Sequence, residues 1–302
     1  MPHKGPHISI SSDSVVNRIL RINMDDFAEW PESVRNLAIA IAEELFLVAY
    51  NPFIDAETVR NSVAARFEKE SVALAHYYAT AIGEGMIMFW SAHEAETVFR
   101  TRLVDALHDI LPDECILTDP AALVETATDA TDLRMELPLL VVEPDTTEQV
   151  ADLVRLANDM KFALIPRGGG SGMTGGAVPA RKRTVIVSLT RLTRIGPVDL
   201  ENMTVTCQAG AITQAVINAV AEAGALFSVD PASKQASSIG GNVSENAGGP
   251  SAFEYGTTLD NLLWWRMVTP TGEIITVERE DHPRHKILPE ETAVFAVKDV
   301  SG

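Results

Sequence analysis

Pro166-Arg167-Gly168-Gly169-Gly170-Ser171-Gly172-Met173-Thr174-Gly175-Gly176 follows directly on the apolar stretch Phe162 to Ile165. Such a run gathers several peptide N–H groups around one concavity, with no Cβ atoms to block a close ligand. A nest of N–H donors suits a diphosphate, an anion that needs donors at short range rather than bulk cations. Of 19 glycines in the chain, six fall between Gly168 and Gly176 and five more between Gly240 and Gly256. A plain flexible surface loop is the competing reading, and this glycine density at a strand end counts against it.

Two familiar phosphate loops do not fit. The Walker spelling fails because no Lys-Ser or Lys-Thr follows the glycines. Gly170, Gly172 and Gly175 can be read as G-x-G-x-x-G, but the dinucleotide fold needs a helix to start inside that motif. Here Gly175-Gly176-Ala177-Val178-Pro179 leads to a basic turn and then to the apolar strand Thr184 to Leu189. An NAD-linked Rossmann enzyme is therefore disfavoured.

Upstream of the loop, Leu139 to Val142 reads as a short strand. Thr146 and Gln149 spell a capping box for a helix that turns Val150, Leu153, Val154, Ala157 and Met160 inward. With Phe162 to Ile165 this makes a βαβ unit, which calls for a parallel pair. Downstream, Val205 to Gln208 reads as a strand and Ile212 to Ala223 as a helix stopped by Gly224. Leu262 to Thr269, Pro270-Thr271-Gly272 and Ile274 to Val277 read as a hairpin. The tail from Glu278 is polar and ends on Ser301-Gly302 with no closing element.

A second unusual stretch runs from Asp230 to Gly249. It holds Ser233, Ser237, Ser238, Gly240, Gly241, Asn242, Asn246 and Gly248, with almost no bulky apolar group before Phe253. Two such loops suit a long ligand with separate polar ends. Together they resemble the FAD-binding domain of the vanillyl-alcohol oxidase / p-cresol methylhydroxylase (PCMH-type) flavoprotein family. Within it the likeness is nearest to the D-lactate dehydrogenase and glycolate oxidase subunit-D type. It starts near Thr118-Asp119-Pro120 and passes through Pro144 to Val150, Pro166 to Pro179 and Ile239 to Gly249. It then continues through Tyr255-Gly256, Asp260-Asn261-Leu262 and Thr271-Gly272-Glu273, covering roughly residues 115 to 278.

The resemblance implies an α+β fold: a PCMH-type domain of two α+β subdomains with FAD between them. The diphosphate would lie against Pro166, Arg167, Gly168, Gly169, Gly170, Ser171 and Gly172, with the Ser171 hydroxyl donating. Ser233, Ser237, Ser238, Gly241, Asn242, Asn246 and Gly248 would approach the diphosphate and flavin from the second subdomain. Two readings of Arg167 stay open, a phosphate contact or an ordinary salt bridge. Asn242 and Asn246 either meet the cofactor or tie their own loop together. No histidine lies between Gly168 and Gly176, which argues against a covalent flavin link there. On this reading Gly170→Val abolishes FAD retention.

By the same resemblance the protein transfers a hydride from the carbinol carbon of a small 2-hydroxy acid to flavin N5. The electrons would pass to an iron–sulfur protein or quinone system. Catalytic residues are not identified. The substrate-holding cap of that family has no counterpart after Thr276, so the chain reads as the front part of a longer oxidoreductase. The alternative is an FAD-binding interaction or electron-transfer module without its own substrate site.

Residues 1 to about 112 read as a helical accessory region ahead of an FAD-binding domain at 113–302, whose subdomains divide near 193. Val34, Leu37, Ala38, Ile41, Ala42, Leu45 and Ala49 make one stripe, with Pro31 in first-turn position. A second helix is expected over Glu94 to Ile110, opened by a Ser91/Glu94 capping box. A docking module and a packing appendage are equally open for this front. His76, His93 and His108 read as satisfied histidines. His282-Pro283-Arg284-His285, lacking nearby carboxylates, makes a weak metal site, and no metal is expected.

The whole chain has 302 residues, 24 Lys+Arg against 42 Asp+Glu, and a formal charge of −18. Hydrophobic content of 46% with 22% charged residues excludes wholesale disorder. The acidic balance argues against nucleic-acid binding and against adsorption to an anionic membrane. The start, Met1 to Ile10, is no signal peptide, and the most apolar window, Leu37 to Tyr50, is too short and too interrupted to span a bilayer. Cys115 and Cys207 are too far apart for a metal or iron–sulfur spacing and read as small packed side chains. A cytoplasmic protein is the expectation.

Overall fold

The computed structural model describes residues 12–131, 136–282 and 285–299. The expectations for Met1 to Ile10, for Pro283 and Arg284 and for Ser301-Gly302 lie outside these residues. The chain divides into two compact units, Met1–Arg102 and Leu103–Gly302.

The first unit is helical: α1 (Ser12–Leu20), α2 (Met24–Ala28), α3 (Glu32–Tyr50), α4 (Ala56–Ser71) and most of α5 (His76–Leu107). The expected stripe of α3 is buried at Val34, Leu37, Ala38, Ile41, Ala42 and Leu45. Pro31 is the N-cap residue rather than part of the first turn, because its ψ of 143° is extended. The capping-box reading of Ser91 and Glu94 is corrected: α5 runs unbroken through both. A cap forms only where the backbone leaves the helix. The stretch before Ser91 keeps winding because Met86 and Trp90 pack into the core with Ile41, Leu45 and Ile82. Helix α4 escaped the apolar periodicity because Val63 is its one buried residue; Asp55 caps it by accepting from the Thr58 N–H at 3.1 Å.

The second unit opens with a 3₁₀ turn at Asp113–Cys115, then β1 (Ile116–Leu117), α6 (Pro120–Thr126), β2 (Leu140–Val142), α7 (Thr147–Met160), β3 (Ala163–Arg167) and β4 (Thr184–Ser188). These strands form one sheet in the order β1-β2-β4-β3. The expected capping box of α7 is present in both directions, with Gln149 N–H donating to Thr146 Oγ1 at 3.1 Å. Strands β2 and β3 run parallel, but β4 lies between them and pairs with both. All five residues of β4 are buried, as a central parallel strand covered on both faces requires. Adjacent parallel strands need a long crossover, normally helical. Between β3 and β4 that crossover is the glycine loop, with no helix in residues 168–183.

Next come β5 (Ile195–Asp199) and β6 (Thr204–Cys207), an antiparallel pair, and α8 (Thr213–Glu222). Val216 and Val220 of α8 pack on Ile195, Val198 and Val205 of that pair. Gly224 follows α8 at φ +87°, a conformation that suits a helix stop. The small-residue segment then forms α9 (Ile239–Glu245), α10 (Ala252–Tyr255) and α11 (Thr258–Asn261). Strands β7 (Trp264–Val268) and β8 (Ile274–Arg279) make the expected hairpin. Its turn docks on α7, where Arg155 Nη2 and Asn158 Nδ2 donate to the carbonyls of Gly272 and Pro270 at 2.7 Å each.

Two readings of the tail are corrected. It carries a closing strand, β9 (Phe295–Asp299), which pairs antiparallel with β8 along its length. The apolar run from Ala293 to Val297 supplies it, with Phe295 packed edge-on against Trp265 at 5.2 Å. His285 has a carboxylate partner after all, its Nε2 lying 3.0 Å from Glu291 Oε1, while His282 Nε2 lies 2.8 Å from the Asp260 carbonyl. Among the described residues no cluster of His, Cys, Asp and Glu is arranged to hold a metal ion. None of the described helices is long and apolar enough to cross a membrane. Cys115 is buried and Cys207 half-buried, both free.

Candidate functional site

The two small-residue stretches meet. The backbone of Gly168 and Gly169 lies so close to the second stretch that a Cβ on Gly168 would overlap the Ser238 hydroxyl. One on Gly169 would overlap the carbonyl of Ala236. These glycines are therefore needed for contact between the loops, before any ligand is considered. Gly170 adopts φ +62° and lies over the Arg167 guanidinium, which a Cβ there would strike. At Gly172 a Cβ would meet nothing within 4 Å.

Arg167, the last residue of β3, is half-buried beneath the loop. Its Nη1 donates to the Ala177 carbonyl at 3.2 Å and its Nη2 to that of Glu125 at 3.5 Å. Burial pulls its pKa below the usual guanidinium value, against the opposing charges of Asp129 and Glu125. The side chain thus ties the outgoing and returning limbs of the loop. Asp129 Oδ2 is buried without a hydrogen-bond partner.

No peptide N–H from Gly168 to Gly176 donates a hydrogen bond within the described residues, and the same holds for Gly248 and Gly249. The hydroxyls of Ser171 and Ser233 also lack a partner there. These residues are exposed or half-buried, so their N–H groups are open to solvent and to a ligand. A row of free donors with open space at Gly172 fits a close-lying anion such as a diphosphate, so the residues present suit FAD.

The second stretch is more inward-looking than the sequence implied. Thr213 Oγ1 donates to the Ser237 carbonyl at 3.0 Å. It accepts from Asn242 Nδ2 at 2.8 Å and lies 2.8 Å from Ser237 Oγ. Ser237, Ser238 and Asn242 are all buried. Ser238 caps α9 by accepting from the Gly241 N–H at 3.3 Å. Asn246, in the left-handed region at φ 49°, accepts from the Leu259 N–H at 2.9 Å through Oδ1. The carbonyl of Ser233 accepts from the N–H groups of Ala236 and Ser237 at 2.8 Å each. The structure thus brings Gly168 and Gly169 together with Ala236 and Ser238, whereas the Asn242 and Asn246 side chains bond to Thr213 of α8 and to the backbone of Leu259 in α11.

Three residues that sequence reasoning missed complete the arrangement. Thr213 is the hub just described, and Thr174 Oγ1 lies 2.9 Å from both carboxylate oxygens of Glu245. Thr213 looks like any first helical residue. Thr174 and Glu245 lie 71 positions apart, so no local signal connects them.

Residues 138–278 match the FAD binding domain family. The chain is 36% identical over 170 residues to D-2-hydroxyglutarate dehydrogenase of Xanthomonas citri pv. viticola, covering 56% of this chain and 36% of that protein. It is 34% identical over 193 residues to the glycolate oxidase subunit GlcD of Escherichia coli K12, covering 63% of this chain and 38% of that one. A solved structure of alkyldihydroxyacetonephosphate synthase superimposes with a TM-score of 0.54 at 26% identity, over 66% of this chain and 38% of the other. The chain spans little more than a third of the length of the relatives it matches.

Proposed function

We propose that this protein, whose residues 138–278 match the FAD binding domain family, is the flavin-binding part of an oxidoreductase acting on a 2-hydroxy acid such as D-lactate or glycolate. The observation that carries the reading is the row of unused N–H donors at Gly168–Gly176 beside the open position at Gly172. FAD, when bound, would supply the redox chemistry as the acceptor of a hydride from the carbinol carbon, while a base would take the hydroxyl proton. This chain's residues bind and orient the cofactor. Gly168 to Gly172 and Ser171 Oγ would hold the diphosphate. Ser233, Ser237, Ser238, Gly241, Asn242, Asn246 and Gly248 form the wall on the other side, and Pro166 and Arg167 set the angle at which the loop leaves β3.

The proposed division places FAD binding in residues 113–302, in two subdomains meeting near 193, with 1–112 as a helical accessory region. Substrate-holding groups come from polypeptide outside the part shared with the relatives, and no base is assigned among the residues described. The electron acceptor is an iron–sulfur protein or quinone system. A cytoplasmic location belongs to the same proposal, since isolated reduced cysteines such as Cys115 and Cys207 suit a reducing compartment.

Purified protein is expected to carry the yellow absorbance of oxidised flavin or to acquire it with added FAD. A colourless protein that ignores FAD overturns the proposal. The second reading is a flavin module without its own substrate site. Anaerobic bleaching by D-lactate, glycolate or D-2-hydroxyglutarate separates the two: bleaching supports the enzyme, and stable colour with all three supports the module.

Arg167 gives a further test. Replacing it with Met removes the donors to Ala177 and Glu125 and is expected to weaken FAD about tenfold, the scale of one charge-assisted hydrogen bond. Arg167→Lys is expected to recover little, since one ammonium cannot span both carbonyls. Full recovery by Lys in equilibrium titrations would show that charge, and not the fork, is what matters.

A further inference from the structure

We infer that Glu245 is a positioning residue for the cofactor: by accepting the Thr174 hydroxyl it fixes the far end of the glycine loop in its ligand-receiving shape. The inference rests on the reading that the FAD diphosphate lies against that loop. The near end of the loop is anchored where Gly168 and Gly169 touch Ala236 and Ser238. The far end is anchored where Thr174 Oγ1 bridges both oxygens of Glu245 at 2.9 Å, and Gly176 packs so closely that a Cβ would lie 3.1 Å from Glu245 Oε1. Both anchors belong to the segment from Ala236 to the end of α9. The peptides with free N–H groups, Gly170 to Met173, are suspended between them.

Electrostatics makes the placement of Glu245 informative. It is the last residue of α9, where the helix dipole disfavours a negative charge. It also stands beside a nest built for an anion. None of the lysines or arginines forms a described ion pair with it, and Thr174 is its one described hydrogen-bond partner. A carboxylate unfavourable on both counts, and bonded only to the loop, is explained by the loop. Glu is suited to the task because two oxygens hold one hydroxyl over a range of small displacements, whereas a longer or cationic side chain would compete with the nest for the diphosphate.

The experiment measures FAD release from the full-length holoprotein by the rise of free-flavin fluorescence after dilution. Thr174→Val and Glu245→Ala are each expected to speed release about fivefold, the value of one hydrogen bond. The double variant should be no faster than either single one, as shared partners require. Glu245→Gln, whose amide oxygen still accepts the hydroxyl, should restore the wild-type rate. Melting temperatures without FAD are expected to stay within about a degree, because the pair is exposed. Unchanged release in both single variants, or multiplicative effects in the double, overturns the inference while leaving FAD binding intact. A wild-type protein that takes up no FAD overturns both.

Discussion

Gly172→Val is expected to leave the fold intact and strip the protein of FAD. A Cβ at this position would meet no atom of the rest of the protein within 4 Å, and Gly172 is not in the left-handed region, so the first atom of the new side chain meets neither a clash nor backbone strain. The space it fills is the space the diphosphate would use. Blocking two of the free N–H donors costs about 3–6 kcal/mol, since hydrogen bonds to charged groups contribute about 1.5–3 kcal/mol each. Affinity then falls by a hundredfold or more, at about 1.4 kcal/mol per factor of ten. Equilibrium titration with FAD, paired with a thermal melt of the apoprotein, reads both halves. Normal affinity with a normal melt would place the diphosphate elsewhere.

Gly169→Ala is expected to do the opposite, damaging the apoprotein itself. Its Cβ would overlap the Ala236 carbonyl, a backbone atom that cannot swing aside. The two stretches must separate, at about 3 kcal/mol for overpacking of this kind. For a unit of this size that lowers the melting temperature by about 6–12 °C, with FAD affinity falling as a consequence. An unshifted melt would show that the loops do not touch as described. Gly170→Val, attractive from the sequence, is less informative than either. Its φ of +62° and its contact with Arg167 would make it damaging with or without a ligand.

What could be read from the sequence was what is local. Thr146 and Gln149 sit three positions apart and cap α7 as spelled, Gly224 ends α8, and the Pro270-Thr271-Gly272 turn joins β7 to β8. The glycine loop stood out because six glycines within nine residues at a strand end are a local signal in themselves. Position in the sheet was not: the βαβ pattern of β2, α7 and β3 says nothing of a third strand entering between them. Ser91 and Glu94 misled because a capping box is a spelling until the backbone bends, and burial of Met86 and Trp90 kept it straight. Strand β9 was hidden in a polar tail because its pairing partner, β8, gives it order that its own composition does not announce. The Thr213 hub and the Thr174–Glu245 pair were out of reach because each joins residues tens of positions apart.

The placement of β4 has a consequence for the order of events as the chain is made. Strands β2 and β3 share no hydrogen bonds with each other, and only β4 between them joins the two. The glycine loop is the tether that delivers it, so the nest takes shape only as the sheet closes. Its opposite wall, Ala236 to Glu245, is synthesised later still. Non-local pairings of this kind form slowly and leave apolar strands exposed meanwhile. The nascent polypeptide therefore passes through a stage at which the glycine loop is made but the segment it packs against is not.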